Sequence, residues 1–310
     1  MDPNRHLQLA RDVRLNCLEM HLGKGAGPRL HPRNRGASSS VGAYWRQPAA
    51  GAEPTSHRDT DTQPASLAHA RRRYLRTVLE LASVRAVLTD FDRTLALLFG
   101  PQAMEVVRGD LADLYASRRV PVHKLRAANA YTLWIDVYNW MIQRNWSDTD
   151  VIHQGATDLL GEHEYRAAQE SRLLQGVRSM LEWLNDLRIP VAIVSTNATR
   201  AVELALKVNQ VEHLVSVVLG RKDEGVDMAR LKPDPSLIHH ALKKVHGGPA
   251  LLVGDSIGDI EAGRRAGLPT VGVTTGELSA QELKAVGANV VIPSFGDLRS
   301  LFASRSEDSD

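Results

Sequence analysis

Short apolar runs alternate with amphipathic segments along most of the chain after residue 83. Six runs have the length and aliphatic content of buried strands: 84–88, 191–194, 214–219, 250–253, 270–273 and 290–292. Between them, apolar residues recur three and four positions apart, as in Val177, Met180 and Leu184, which predicts helices. Strands that alternate with helices predict an α/β fold built on a doubly wound parallel sheet.

The pattern changes to helices alone between the first and second predicted strands. We interpret residues 98–173 as an inserted all-helical cap, and residues 67–97 together with 174–303 as the core that carries it. One face of a predicted helix in the insertion carries Tyr131, Trp134, Val137, Tyr138 and Met141. We expect these side chains to pack inside the cap, and contact with a substrate is the alternative interpretation.

The two ends of the chain lack this periodicity. Residues 1–66 include a long stretch rich in Gly, Pro, Ser and Arg, which has too little apolar surface to offset the entropy of ordering. We expect a disordered or weakly ordered arm there. The polar residues 304–310 predict a disordered tail.

Composition and charge narrow the choice of partner and compartment. The 38 Lys and Arg residues nearly balance 36 Asp and Glu residues, so we expect neither nucleic acid nor a membrane as partner. The single cysteine, Cys17, cannot form an intrachain disulfide or a thiolate metal cluster, which favours a reducing compartment. The sequence has neither a signal-peptide core nor a run of about 20 apolar residues. We therefore expect a cytoplasmic protein, either a monomer or a homodimer.

Polar residues follow two of the predicted strands, at the edge where a doubly wound sheet binds its ligands. Asp90 and Asp92 come after the first strand, and their carboxylates share a face if the strand stays extended through Asp92. Ser195, Thr196 and Asn197 follow the second strand, where a hydroxyl and backbone N–H groups are able to hold phosphoryl oxygens.

A lysine and a second pair of carboxylates add to this set. Pro233 disfavours helical geometry at Lys232 and so helps to fix where the ammonium group is presented. Asp255 and Asp259 follow the strand at 250–253, and we expect them to lie one helical turn apart.

Each motif taken alone has an ordinary structural interpretation, as a turn, a helix cap or a surface loop. Their combination indicates a site for a hard cation and a phosphate. Mg²⁺ takes oxygen ligands and is usually held by one or two carboxylates together with the phosphate of the substrate. Asp90 and Asp255 fit that count.

The four motifs resemble, in order, those of the haloacid dehalogenase superfamily of phosphatases. They are Asp90-Phe91-Asp92-Arg93-Thr94-Leu95, Ser195, Lys232-Pro233-Asp234-Pro235, and Gly254-Asp255-Ser256 with Asp259. Residues 263–273 are similar to the phosphoglycolate-phosphatase branch in particular. The resemblance implies a Rossmann-like core with a helical cap inserted between motifs one and two.

The resemblance also implies which residues would act in catalysis and bind the metal. Asp90 would be the nucleophile, forming a phospho-aspartyl enzyme, and a ligand of Mg²⁺. Asp92 would protonate the leaving oxygen, later activate water, and offer its backbone carbonyl to the metal. Asp255 would ligate Mg²⁺, and Asp259 would support both the metal and Lys232.

The remaining matched residues would hold the substrate. Ser195 and Lys232 would bind the transferring phosphoryl group, and Thr94 would brace the first motif. The expected substrate-binding set is Thr94, Ser195, Thr196, Asn197 and Lys232. The expected function is Mg²⁺-dependent hydrolysis of a small-molecule phosphate monoester.

Several alternatives stay open at this level. The family usually has glycine where this chain has Arg93, which would crowd the pocket or add a cationic contact to the substrate. A phosphomutase of the same family, or a non-catalytic binding or regulatory module that retains the fold, is compatible with the same motifs. Asp92 argues against a dehalogenase, and a phosphonatase would need a cap lysine, for which Lys124 is the only candidate in the insertion.

Overall fold

The computed structural model describes residues 83–121, 127–221, 231–246 and 248–302. The predicted N-terminal arm, the start of the core at 67–82, Lys124 and the tail at 304–310 lie outside the described residues. The assignments made for these segments therefore stay predictions.

The described residues form eight strands, of which six build the central sheet. They are β1 (Ala86–Thr89), β2 (Ala96–Leu97), β3 (Arg172–Leu173), β4 (Val191–Ala198), β5 (Val217–Arg221), β6 (Ala250–Gly254), β7 (Thr270–Val273) and β8 (Val290–Ile292). The sheet has the order β5-β4-β1-β6-β7-β8, and all its neighbours pair in parallel. β2 and β3 form a separate antiparallel pair.

Within the same described ranges, eight α-helices surround these strands. They are α1 (Pro101–Ser117), α2 (Ala130–Gln143), α3 (Thr149–Ala168), α4 (Val177–Asp186), α5 (Thr199–Val208), α6 (Ser236–Lys244), α7 (Ile257–Arg265) and α8 (Ala280–Ala285). Two 3₁₀ helices span Glu212–Leu214 and Phe295–Leu301. None of the helices described is both long enough and apolar enough to cross a bilayer.

Helices cover both faces of the sheet, which explains why its central strands read as unbroken apolar runs. Every residue of β1 and of β6 is buried. Along β1, Val87 packs into the larger apolar cluster on one face, and Leu88 packs into a smaller cluster on the other. This alternation is the period of two expected of a strand.

The insertion consists of α1, α2 and α3, and the β2–β3 pair stands where it leaves and rejoins the core. Trp134, Val137 and Met141 of α2 are fully buried, as expected for cap packing, whereas Tyr131 and Tyr138 are half-buried. The fold class is confirmed: an α/β protein with a Rossmann-like parallel sheet and an all-helical insertion.

Several predicted strand boundaries are wrong, and three of them differ by two residues or more at a start or by four at an end. The first strand begins at Ala86, not at 84, because Val84 is buried without joining the hydrogen-bonded ladder. The third begins at Val217, because residues 212–214 form a 3₁₀ helix instead. β4 continues to Ala198. Apolar runs report burial, whereas strand limits are set by backbone pairing.

Candidate active site

The site lies at the carboxyl ends of β1 and β6. These strands are neighbours, and the strand order reverses between them, because the chain adds β4 and β5 on one side and β7 and β8 on the other. In open α/β sheets, ligands bind in the crevice at such a switch point. Asp90 follows β1 and Asp255 follows β6, so the topology brings two carboxylates from distant segments to this crevice.

Lys232 connects two carboxylates of this crevice. Its Nζ lies 2.5 Å from Asp90 Oδ1 and 2.6 Å from Asp259 Oδ1, and all three side chains are almost fully buried. Burial disfavours the ammonium, but the charges of Asp259 and Asp90 outweigh this effect and raise the pKa of Lys232. The lysine therefore stays charged.

Carboxylate oxygens of Asp90, Asp255 and Asp259 all lie within 4.8 Å of one another. Burial, followed by the charges of Asp259 and Asp90, raises the pKa of Asp255 well above its ordinary range. Three buried carboxylates at this distance repel one another, and a cation among them relieves that repulsion. The donors are all oxygen atoms, so the residues present fit a hard divalent cation.

Asp92 stands apart from this carboxylate cluster. Its Oδ1 accepts a hydrogen bond from the backbone N–H of Leu98 at 2.7 Å. Burial raises the pKa of Asp92 to about 7, against the Leu98 hydrogen bond and with a contribution from the charge of Asp90. A carboxyl group with such a pKa can donate and accept a proton near neutral pH, as general acid/base catalysis requires.

The first strand does not stay extended through Asp92, so the condition for the two carboxylates to share a face is not met. β1 ends at Thr89, and the carbonyl of Phe91 then accepts hydrogen bonds from the N–H groups of Leu95 and Ala96, which close a tight turn. Among the described residues, the only strand-like backbone pairing of Asp92 is an isolated bridge with Ala96. Phe91 points into the core as expected and is 1% exposed.

Arg93 occupies the conformation for which glycine is favoured. Its φ is +60°, in the left-handed region. Its guanidinium lies 2.6 Å from Glu277, and its carbonyl accepts a hydrogen bond from the Thr275 hydroxyl. Arg93 therefore ties the first motif to the loop after β7.

That loop also closes on Asp255. A Cβ added at Gly276 would lie 2.0 Å from Asp255 Oδ2, so only glycine allows this approach. On the other side, the Thr94 hydroxyl donates to Asp255 Oδ1 at 3.4 Å. Asp255 is thus held between the first motif and a loop that belongs to none of the four motifs.

The expectation that Asp255 and Asp259 lie one helical turn apart is wrong. Asp255 precedes the helix, and only Asp259 belongs to it. α7 begins at Ile257, and Ser256 caps it. The Ser256 side chain accepts from the Asp259 N–H at 3.2 Å, and the Asp259 carboxylate accepts from the Ser256 N–H at 3.1 Å. The capping box holds the Asp259 carboxylate, whose other oxygen then faces Lys232.

Ser195, Thr196 and Asn197 lie inside β4, not after it, and none of them caps α5, whose N-cap is Ala198. The Ser195 hydroxyl donates to Asn197 Oδ1 at 2.8 Å, and the Asn197 N–H donates to Ser195 Oγ at 3.2 Å. The pairing of β4 with β5 shifts register between Val194 and Ala198, so the strand is irregular where Ser195 and Asn197 bond to each other. Ser195 is buried on the strand next to β1.

The sequence motifs miss a buried polar group beside Ser195. Glu164 of α3 and Arg221 of β5 form a buried ion pair, and the Tyr131 hydroxyl donates to Glu164 at 2.8 Å. Glu164 occupies a position on the same buried face of α3 as Leu160 and Ala168. The sequence does contain one indication of this pair. Glu164 is a carboxylate on an apolar helix face, and such a group must find a partner inside the protein.

Known proteins resemble the chain in sequence over less than half of its length. A family model described as "Haloacid dehalogenase-like hydrolase" matches residues 135–273, a span that includes Ser195, Lys232 and Asp255 and begins after Asp92. A phosphoglycolate phosphatase of Haemophilus influenzae is 32% identical over 42% of this chain and 58% of its own length. One of Aliivibrio fischeri is 30% identical over 48% of this chain and 64% of its own.

Solved structures resemble the chain in fold over about 70% of its length. A structure titled as a putative haloacid dehalogenase-like hydrolase from Bacteroides fragilis has a TM-score of 0.55 at 22% identity, covering 69% of this chain and 99% of its own. A predicted phosphoglycolate phosphatase from Haemophilus somnus has a TM-score of 0.51 at 21% identity, covering 70% and 97%. At these identities the likeness shows the fold alone.

Proposed function

Because this chain carries the motifs, the fold and the family-model match of the haloacid dehalogenase-like hydrolases, we propose that it is a phosphatase. It hydrolyses a small-molecule phosphate monoester and requires Mg²⁺. The observation that carries the proposal is the contact of Lys232 with both Asp90 and Asp259, within the cluster that Asp255 completes.

In the first step the Asp90 carboxylate attacks phosphorus and the bond to the leaving oxygen breaks. The Lys232 ammonium, 2.5 Å from Asp90 Oδ1, keeps that carboxylate ionised against the effect of burial. Asp92, with a pKa of about 7, donates a proton to the leaving oxygen. The product of this step is a phospho-aspartyl enzyme.

In the second step Asp92 removes a proton from water, and the resulting hydroxide attacks phosphorus. The bond between Asp90 and phosphorus breaks, which returns the carboxylate and releases inorganic phosphate. The same side chain acts as acid and then as base, as a pKa near neutrality permits.

Asp90, Asp255 and the backbone carbonyl of Asp92 would hold Mg²⁺, with support from Asp259. A bound cation would neutralise charge on the phosphoryl oxygens. Thr94, Ser195, Thr196, Asn197 and Lys232 make up the proposed set that orients the substrate.

The proposal also covers substrate class and setting. Relatives named phosphoglycolate phosphatase make 2-phosphoglycolate the first ester to assay beside a panel of other small esters. A cytoplasmic monomer or homodimer remains our expectation. A phosphomutase would return the phosphoryl group to its substrate and a binding module would release none, so measured phosphate release separates both from a phosphatase.

The test is phosphate release from a generic aryl phosphate with Mg²⁺. We expect release by the wild-type protein, loss of release in Asp90→Asn, and unchanged release in Asp186→Asn, whose carboxylate is exposed on α4. Release that persists in Asp90→Asn contradicts the mechanism. Absence of release from every ester of the panel contradicts the function.

A further inference from the structure

Glu164 and Arg221 form a buried ion pair that belongs to none of the four motifs. Glu164 Oε2 lies 2.7 Å from Arg221 Nη2, and Glu164 Oε1 lies 3.2 Å from Nη1. The residues are 0% and 2% exposed. Moving two charges out of water costs free energy that their attraction recovers only when further hydrogen bonds satisfy both groups. The other partners of the pair therefore indicate what it holds in position.

Those partners lie at the end of β4. Glu164 Oε2 accepts the backbone N–H of Ala198 at 2.8 Å, and Arg221 Nη1 donates to the carbonyl of Thr196 at 3.0 Å. Glu164 Oε1 also lies 3.3 Å from Asn197 Nδ2. Both charged groups thus hold the three residues that follow Ser195.

The direction of each hydrogen bond follows from the charge on Glu164. A carboxylate only accepts, so the Tyr131 hydroxyl donates to it at 2.8 Å. The amide nitrogen of Asn197 faces the same side and donates to the Tyr131 oxygen at 2.5 Å. The amide oxygen of Asn197 must then face the other way, toward the Ser195 hydroxyl at 2.8 Å. A connected chain of bonds runs from Glu164 to Ser195.

This chain joins the insertion to the core. Tyr131 lies on α2 and Glu164 on α3, whereas Asn197 and Ser195 belong to β4. We propose that Glu164 and Tyr131 are positioning residues that hold the Asn197 side chain, and that Asn197 in turn places the Ser195 hydroxyl, whose proton turns from Asn197 Oδ1 to a phosphoryl oxygen when phosphate binds. This inference rests on the proposed phosphatase function.

The deciding variant is Tyr131→Phe, which keeps the ring and the ion pair and removes only the bridging hydroxyl. We expect the Kd of inorganic phosphate with Mg²⁺, measured by calorimetry, to rise roughly 5- to 20-fold, the worth of about one hydrogen bond. We expect kcat/KM for an aryl phosphate to fall by a similar factor. Glu164→Gln should show the same losses, but it also leaves Arg221 without its anion and so lowers the thermal midpoint.

Two further variants separate positioning from general damage. In an Asn197→Ala background, Tyr131→Phe should change both quantities less than twofold, because the link to Ser195 is already broken. Glu162→Gln is the matched control. Glu162 also lies on α3 and pairs with Arg200 of α5 at 2.8 Å, but this pair is at the surface, and its loss should change neither quantity.

The outcomes are distinct. Losses of equal size with and without Asn197, or no loss at all from Tyr131→Phe, overturn the inference while the phosphatase stands. A wild-type protein that binds phosphate but hydrolyses no ester contradicts the proposed function, and the Kd series then decides the inference alone. A wild-type protein that neither binds phosphate nor hydrolyses an ester overturns both.

Discussion

Lys232 decides the charge balance of the candidate site, because its ammonium contacts two of the three clustered carboxylates. Burial raises the pKa of Asp90, and Lys232 opposes that change. No such cation contacts Asp92 at hydrogen-bond distance among the described residues, and its pKa of about 7 reflects burial first. The two aspartates therefore differ in their partners, an ammonium group at Asp90 and a backbone N–H at Asp92, which suits them to different steps.

Asp92→Asn tests this division of roles. We expect kcat to fall roughly 10²- to 10⁴-fold for an alkyl phosphate, the usual contribution of a positioned acid/base. For an aryl phosphate whose leaving group is an acidic phenol, the rate of the first step should fall less. The phenolate oxygen can leave without accepting a proton. Steady-state and burst kinetics on the two esters make the comparison. A loss below tenfold with the alkyl ester would remove Asp92 from the acid role.

The residues that could be predicted from sequence are those whose neighbours are set by the sheet. Asp90 and Asp255 follow strands, so parallel topology alone brings them together. Glu164 and Arg221 could not be paired in this way, because their contact depends on how α3 packs against the end of β4. Glu164 was visible only as an acid on an apolar helix face.

At the scale of elements, the loop after β7 shows a second kind of contact that the sequence pattern does not predict. Gly276 belongs to no motif, yet its backbone closes on the Asp255 carboxylate. Periodicity identifies strands and helices through the burial of side chains. It does not report a contact made by the backbone of a loop.

Gly276→Ala tests that contact. The added Cβ would lie 2.0 Å from Asp255 Oδ2, so the carboxylate or the loop must move. We expect the Mg²⁺ concentration for half-maximal phosphate release to rise at least tenfold, as for other disturbed metal-site supports. Gly109→Ala in α1 is the control, since a Cβ there meets nothing within 4 Å. It should leave Mg²⁺ dependence unchanged, and an unchanged Gly276→Ala variant would show that the loop yields freely.

His153 makes the insertion sensitive to acid. It is buried in α3 between the rings of Trp134 and Tyr138, and burial, followed by the charge of Arg221, lowers the pKa of His153 to about 4. An unfolded histidine has a pKa of about 6.5, so between these values the unfolded chain binds more protons. The contribution of His153 to the free energy of unfolding is therefore complete above about pH 6.5 and is lost as the pH falls toward 4.

Urea unfolding at two pH values measures this loss. Between pH 7 and pH 5 we expect His153 to account for a decrease of about 2 kcal/mol, the difference that linkage gives for these two pKa values. The decrease should be smaller by that amount in His153→Phe. In His239→Phe, where the histidine is exposed on α6, it should match the wild type. Equal decreases in all three proteins would contradict a buried neutral His153.

At the scale of the whole molecule, the parallel, doubly wound class of the sheet could be predicted, whereas its strand order and the arrangement of the insertion on it could not. Alternating strands and helices restrict the core to a few topologies, because parallel connections are right-handed and short. No comparable rule determines how the helices α1 to α3 pack on the sheet. Their position is set by particular contacts, including those that Glu164 makes at the end of β4.

The carboxylate cluster couples metal binding to the stability of the whole fold. Asp90, Asp255 and Asp259 repel one another in a buried site, so a cation that binds only the folded protein should raise its thermal midpoint. We expect Mg²⁺ to raise the midpoint of the wild-type protein beyond the effect of NaCl at equal ionic strength, and EDTA to abolish both the increase and phosphate release. Because the pKa of Asp255 is raised, folding without Mg²⁺ costs either charge repulsion or protonation of this group. Asp255→Asn removes that cost, so it should be more stable than the wild type without Mg²⁺ and gain less when Mg²⁺ is added. Equal gains in both proteins would mean that the cation binds elsewhere.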